Sequence, residues 1–274
     1  TGQYQLEASP ERADDSSGRI DVDICRRPAS GGECVRPRVI DFDLYLDRRG
    51  TDDDSTLNRA GVDALHARGG YAVCYVDAGS AELFRPDFPR FRRWHRSHGR
   101  SLLGNPFSRR FPDERWINIG ARKQRRFVLG VMEERTAKCA RAGFDAVEYD
   151  VVEAWSAGRR TTGWNVSYRD QLTYNRSLAR LAHEQGLAVG LKNDLGQARA
   201  LAEDFDFAIN EECAGFDECR ALRAFTRDGK PVFHVEYELE PDRFCDQTQG
   251  RLGFQSIKKA RDFSLRPLPY VPCE

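Results

Sequence analysis

Two short apolar runs in this sequence end abruptly in carboxylates, and carboxylates delivered by strands are the raw material of acid–base and nucleophilic chemistry. The first run is Asp145-Ala-Val-Glu-Tyr-Asp-Val-Val-Glu153 and the second is Phe205-Asp-Phe-Ala-Ile-Asn-Glu-Glu-Cys213. Apolar runs of this length, bounded by Gly143 and Asp204, read as buried strands. A buried strand that ends in Asp or Glu carries a charge to the rim of a sheet. In parallel α/β folds the C-terminal rim is where reactions take place. Asp150 and Glu211 are therefore the expected catalytic pair.

Asp43, Asp77, Asp194 and Glu236 also lie at or near the ends of expected strands. A helix N-cap explains any one of them, Asp194 before Leu195 for instance, but six acids at strand ends point to one acidic mouth. Such a mouth implies a positive partner, either a metal or a cationic substrate. Among the histidines, His66, His95, His98 and His183 fall away from the strand ends, and His234, inside the last expected strand, reads as a core residue. No metal or other cofactor is expected. A metal-dependent barrel with Asp150, Asp194 and Glu211 as ligands remains the alternative. No GxSxG motif supports a serine nucleophile. Two carboxyls at different strand ends suit glycoside hydrolysis. One, protonated, expels the leaving oxygen; the other, ionised, stabilises or traps an oxocarbenium-like centre. Tyr75, Tyr149, Trp155, Trp164 and Tyr237 lie where they can stack on sugar faces.

The elements that must position these groups alternate between strand and helix. Strands are expected at 3–7, 39–45, 71–77, 116–119, 146–150, 188–194, 207–211 and 232–237. Helices are expected from Thr51-Asp-Asp-Asp to Gly69, at 123–142, 168–185, 195–202 and 219–228, and near 256–263. No GxGxxG turn follows a strand, so the pattern favours a single-domain (β/α)8 TIM barrel over a dinucleotide-binding sheet. Residues 8–36 read as an insertion. Segment 84–115, rich in Pro, is too long for an idle connection and should pack over one end of the barrel. Segment 153–166 reads as a loop.

Lys and Arg number 43 and so do Asp and Glu, which gives no global case for nucleic acid or an anionic membrane. No apolar run is long enough to span a bilayer. The sequence starts at Thr1 with neither Met nor a signal segment, as a processed chain would. Its eight cysteines suit the loop staples of a secreted protein, Cys25 with Cys34, Cys213 with Cys219 and Cys245 with Cys273. Cys74 and Cys139 either pair or serve as small core residues. Zinc is the alternative, without a CxxC to support it. Asn165-Val-Ser167 and Asn175-Arg-Ser177 fit the glycosylation pattern, the first in a loop and the second on a helix face.

An ordered set of segments carries a resemblance across roughly Tyr4 to Cys273. They are Val73-Cys-Tyr-Val-Asp-Ala-Gly-Ser80, Phe84-Arg-Pro-Asp87, Glu114-Arg-Trp-Ile-Asn-Ile119, Phe144-Asp-Ala-Val-Glu-Tyr-Asp150, Tyr174-Asn175, Val189-Gly-Leu-Lys-Asn-Asp194, Asp206-Phe-Ala-Ile-Asn-Glu-Glu-Cys213 and Val235-Glu-Tyr237. Together they resemble glycoside hydrolase family 114, the endo-α-1,4-polygalactosaminidases. The resemblance implies a secreted TIM-barrel hydrolase of galactosamine polymers, a cationic or amino-sugar polysaccharide that suits an acidic mouth. The chain is expected to be a monomer. It puts the nucleophile of a retaining mechanism on Asp150 and the acid/base on Glu211. Lys192, Asn193 and Asp194 match a Gly-Leu-Lys-Asn-Asp motif that lines the sugar site. Asp43, Tyr75, Asp77, Glu148, Tyr149, Glu153, Trp155, Glu236 and Tyr237 are further expected substrate contacts. The sequence departs from the family pattern Glu-Pro-Asp-Asn-x-Asp-Gly-Tyr, reading Glu148-Tyr-Asp-Val-Val-Glu-Ala-Trp155. Loss of the Asn amide at Val151 removes an expected sugar hydrogen bond. A barrel that binds glycan without cutting it is the reading this change suggests.

Overall fold

Eight parallel strands wind in chain order around one axis: β1 (Gly2–Tyr4), β2 (Val39–Asp43), β3 (Tyr71–Asp77), β4 (Ala146–Asp150), β5 (Ala188–Lys192), β6 (Phe207–Glu211), β7 (Val232–Glu236) and β8 (Gln255–Lys258). The computed structural model describes residues 2–6, 20–25, 34–46, 56–263 and 265–273. β1 and β8 come to lie side by side, and the sheet curls into a TIM-type barrel.

The seam between β1 and β8 is closed by the segment after β8 in place of a backbone ladder. Leu6 N donates to Leu265 O at 3.1 Å, Gln3 Nε2 to Pro267 O at 3.0 Å, and Tyr270 OH to Gly2 O at 3.2 Å. Buried Lys259 donates to Gln3 Oε1 at 3.2 Å and to the carbonyls of Arg266 and Pro267 at 2.5 and 3.2 Å. Val271–Pro272 then pairs antiparallel with the outer edge of β8.

Successive strand residues point to opposite faces, and the two faces have different jobs. Outward residues such as Phe42, Cys74, Val147, Tyr149, Val189 and Leu191 pack on the helices and form the main core. Inward residues Val73, Ala146, Phe207 and Ile209, with Phe233, fill the floor of the barrel. Gly190 on β5 leaves room for the Phe207 ring, which a Cβ there would meet at 2.3 Å. Above this floor the inward positions turn polar.

Helices α1 (Arg59–His66), α2 (Phe88–Ser97), α3 (Arg122–Ala142), α4 (Ala154–Thr162) and α5 (Tyr168–Glu184) cover part of the outside, and shorter turns complete it. On α3, Val128, Val131, Met132, Arg135, Thr136, Cys139 and Ala142 are buried at helical spacing. Each large apolar side chain among them contributes ~1.5–3 kcal/mol. α3 ends at Gly143, whose φ of 95° lets Phe144 N reach Cys139 O. Ser167 and Asp170 cap α5 reciprocally, worth about 1 kcal/mol.

Two expected elements are corrected, and their errors cancel in the strand count. The run near 116–119 is not a barrel strand. Glu114–Ile117 pairs antiparallel with Ser80–Glu82 and Leu103–Pro106 in a small separate sheet beyond the end of β3. The eighth barrel strand is Gln255–Lys258, where a helix was expected; its Ser256 and Ile257 are buried and pair with β7. Segment 153–166 also holds α4, kinked at Gly158, instead of a plain loop.

Cys213–Cys219 and Cys245–Cys273 are paired, and Cys74–Cys139 ties β3 to α3. The side chains of Cys25 and Cys34, most of the 8–36 insertion and Thr51 to Asp54 lie outside the described residues. No helix among the described residues is long and apolar enough to cross a membrane.

Candidate active site

The polypeptide leaves β4, β5 and β6 through left-handed backbone. Val151 has φ 60°, Asn193 φ 50°, Asp194 φ 45° and Glu212 φ 62°. Such conformations cost on the order of 1–3 kcal/mol each outside glycine and gather where a site over-determines its backbone. The β-branched Val151 is the least suited of the four. Its side chain is buried against Trp116 and Ala154, and its carbonyl presses on Gly79, where a Cβ would meet it at 1.7 Å. The requirement at this position is therefore conformational. Asn, which the family pattern has here, adopts that backbone at low cost.

Lys192, 1% exposed at the end of β5, is the hub of the mouth. Its Nζ lies 3.0 Å from Tyr4 OH, 3.1 Å from Glu148 Oε1, 3.2 Å from Asp150 Oδ1 and 3.3 Å from Glu211 Oε2. Two oxygens touching one nitrogen cannot be further apart than both contacts laid end to end, about 6.5 Å, and any bend at the nitrogen brings them closer. That bound is the lower edge of the roughly 6.5–9.5 Å spacing of inverting glycosidases; retaining ones use about 5–5.5 Å. Burial opposes the charge on Lys192, but Asp150, Glu148 and Glu211 outweigh it and hold the ammonium protonated.

Each of the two carboxylates has further donors and keeps an open side, Asp150 being 19% and Glu211 24% exposed. Asp150 accepts from Tyr75 OH at 2.9 Å and from Val151 N at 2.8 Å. Glu211 accepts from Tyr237 OH. Asn193 Oδ1 accepts from Glu211 N at 3.0 Å and from Asn210 Nδ2 at 3.1 Å, which fixes the end of β6.

The sequence profile of Glycoside-hydrolase family GH114 matches residues 37–267. The chain belongs to family GH114. It is a glycoside hydrolase. Ega3 of Aspergillus fumigatus, solved in complex with galactosamine, is similar at a TM-score of 0.70 and 22% identity, over 97% of this chain and 92% of that one. The glycoside hydrolase domain of PelA from Pseudomonas aeruginosa is similar at a TM-score of 0.57 and 13% identity, over 99% and 97%. At these identities the likeness is one of fold. No curated protein matches the sequence.

Other expected residues of this GH114 enzyme divide by the face they occupy. Asp43 is clamped by both terminal nitrogens of buried Arg85, at 2.8 and 2.6 Å. Asp77 accepts from Gly79 N, Ser80 N and Ser80 Oγ and so builds the turn after β3. Burial first, then Glu82 and Asp150, raises the Asp77 pKa to about 7. Asp194 accepts from Trp155 Nε1 at 2.8 Å and Asn175 Nδ2 at 2.9 Å, which locks the loop after β5 against α5. Trp155 thereby spends its N–H on the protein, and Trp164 packs over Gly104.

Tyr149 and Glu236 turn away from the barrel interior, which corrects their expected sugar contacts. Tyr149 OH bonds Thr136 Oγ1 of α3 at 2.5 Å, fully buried. Glu236 accepts from Ala214 N at 2.9 Å, Gly215 N at 3.2 Å and His234 Nε2 at 3.1 Å, and so anchors the loop after β6. Sequence reasoning missed Tyr4, Asp41, Glu82, Arg85 and Glu114 at the mouth. Glu114 shares Ser80 Oγ with Asp77, and burial pushes it up to about 9.

As for metals, Lys192 Nζ occupies the point between Asp150 and Glu211 that a shared cation would take. The candidate metal-binding group among the described residues is Cys213, Cys219 and His234, and its two cysteines are joined as a disulfide.

Asn175, the second glycosylation candidate, is buried and donates to Val152 O and Asp194, while Asn165 is exposed.

Glu153 predicts a pH dependence. Burial, then Asp150 and Asp194, raises its pKa from 4.5 to about 8, and its Oε2 has no hydrogen-bond partner. A folded pKa raised above the unfolded one gives stability that is full below the unfolded value and lost as pH climbs through the folded one. Between pH 4.5 and about 8 the wild type should lose up to ~1.4 kcal/mol per pH unit from this group. Glu153→Gln should flatten that slope, read as urea midpoint against pH; an unchanged slope refutes the assignment.

Proposed function

We propose that this GH114 enzyme is an endo-glycosidase that cuts α-1,4-linked galactosamine polymers by double displacement, with Asp150 as nucleophile and Glu211 as acid/base. The observation that carries the reading is the shared ammonium of Lys192, which holds the facing oxygens Asp150 Oδ1 and Glu211 Oε2 within about 6.5 Å of each other, on the close side of the spacing that inversion needs for a water between carboxylate and sugar. Asp150, with three donors, is the better-supported anion. Its oxygen attacks the anomeric carbon while the glycosidic C–O bond breaks and the Glu211 proton passes to the leaving oxygen. Water then attacks the glycosyl ester, gives its proton to Glu211 and frees Asp150.

The substrate class follows from charge. Glu153, Asp77 and Glu114 join the two carboxylates in a wall of acids that burial holds largely protonated and that a bound ammonium would ionise, although the chain as a whole is neutral. A free amine on each sugar makes the polymer cationic and complementary to that wall. The galactosamine bound to the similar Ega3 structure agrees with this chemistry. Disulfides favour an oxidising, extracellular setting.

Reducing-end release tests the reading. A deacetylated α-1,4-galactosamine polymer should be cut at least ~10-fold faster than its fully N-acetylated form, a modest demand on a few charge pairs. Binding of the deacetylated polymer without release supports the glycan-binding alternative and overturns hydrolysis of this substrate.

A further inference from the structure

Beneath the two carboxylates lies a second pair of acids, Asp41 on β2 and Glu148 on β4, which the chemistry above leaves unused. Glu148 is fully buried and Asp41 is 3% exposed. Glu148 Oε1 faces Lys192 Nζ at 3.1 Å and accepts from Tyr4 OH at 3.4 Å. With both acids ionised, Glu148 Oε2 and both Asp41 oxygens have no donor at all. A single proton pairs two of these three: an Asp41 hydroxyl donates to the Glu148 carboxylate. Burial, then the Glu148 charge, pushes Asp41 well above the usual carboxylate range. Burial raises Glu148 too, but Lys192 and the bond from Asp41 work against that. Glu148 has a cation and a phenol beside it and Asp41 has neither, so the charge belongs on Glu148 and the proton on Asp41.

We infer that Glu148, held as an anion by Lys192 and by protonated Asp41, cancels the charge of Lys192 toward Glu211 and so leaves Lys192 free to serve whichever of Asp150 and Glu211 is negative at each stage. This rests on the two-carboxylate reading. Lys192 by itself would favour an ionised Glu211, the wrong state for an acid about to give up a proton. Glu148 offsets that pull. As Asp150 becomes an ester it loses its charge, and as Glu211 donates its proton it gains one. One negative charge crosses the mouth, and Lys192 lies 3.2 Å from where it starts and 3.3 Å from where it ends. Lys192, Glu148 and the carboxylate pair carry the same total charge before and after, so no counter-ion has to enter.

The other titratable groups facing this cluster are Tyr4 from β1, Tyr75 and Asp77 from β3, Glu153 after β4 and Tyr237 after β7. All are neutral or negative. Among the described residues, Lys192 is the cation in contact with Asp150 or Glu211.

The test is the alkaline limb of kcat/KM against pH, which reports the essential acid of the free enzyme. Glu148→Gln should move that limb down by at least about one pH unit. Lys192→Met should move it up, and the double variant should return it close to the wild-type position at a reduced rate. Asp41→Asn, which retains a donor toward Glu148, should displace the limb less than Asp41→Leu. A purely structural role predicts lower thermal stability with the limb unmoved. An unmoved limb in Glu148→Gln, or equal displacement by Asp41→Asn and Asp41→Leu, overturns the inference. If Asp150→Asn retains turnover, the carboxylate-pair reading itself has failed; if Asp150→Asn is inactive and the limb of Glu148→Gln stays put, only the charge-cancelling role has.

Discussion

Asp150→Asn and Glu211→Gln should each lower turnover of the galactosamine polymer by about 10³-fold or more, with the fold intact. Both replacements keep shape, and the remaining amide oxygen still accepts from one neighbouring donor, Val151 N at position 150 and Tyr237 OH at position 211. What each removes is chemical. An amide at 150 cannot form the glycosyl ester, and an amide at 211 cannot hand over a proton. The two losses are separable. An aryl glycoside with a good leaving group should restore the first step in Glu211→Gln, because that bond breaks without protonation, and should do nothing for Asp150→Asn. Added azide should then give a sugar azide of retained configuration from Glu211→Gln, by attack on the ester. Near wild-type turnover in either variant would sink the assignment.

Arg135→Met should destabilise the protein by about 3–5 kcal/mol, since removing one partner of a buried ion pair leaves uncompensated charge behind. Arg135 on α3 is 3% exposed and grips Asp87 through Nε at 2.8 Å and Nη2 at 2.7 Å. Its Nη1 also donates to Asp77 O at 2.9 Å, at the C-terminal end of β3. Burial alone would raise the Asp87 carboxyl, but its bonds to Arg135 hold it below the ordinary value of 3.8. A depressed folded pKa contributes stability that is present above the unfolded value and lost as pH falls through the folded one. The difference between variant and wild type should therefore be full at pH 7 and shrink below about pH 4. Arg135→Lys, a point charge without the planar fork, should recover only part of it. Urea denaturation at both pH values is the measurement, and a loss under about 1 kcal/mol at pH 7 contradicts the ion-pair account.

How much of this was legible in the sequence depended on how sharply each element is bounded. β3 and β6 were legible to the residue, because an apolar run stops at Asp77 in one case and at Asn210-Glu211 in the other. α3 and α5 were legible from their spacing and from Gly143 and Gly186 beyond their ends. β8 was not: its strand is four residues long, and the Lys and Arg that follow suggest a helix surface. Tyr4 was missed for a similar reason, since a three-residue strand has almost no pattern of its own. The positions of Tyr149 and Glu236 were available and unused. Strand alternation cannot send Glu148, Tyr149 and Asp150 to the same side, nor Glu236 together with Val235 and Tyr237. The role of Lys192 was the least readable, because it depends on four neighbours from three other strands and an end-to-end meeting of the chain.

That meeting sets a timetable for the molecule. Tyr4 reaches Lys192 only if β1 is seated, and besides its ladder to β2 that seating draws on Leu265, Pro267 and Tyr270, which follow β8 in the sequence. A ribosome delivers those residues only after all eight barrel strands, so the catalytic mouth cannot be completed until the segment that follows β8 has emerged. Pairings of such long separation form slowly. Clipping residues 265–273 should therefore silence the enzyme at a distance while most of its strands remain in place.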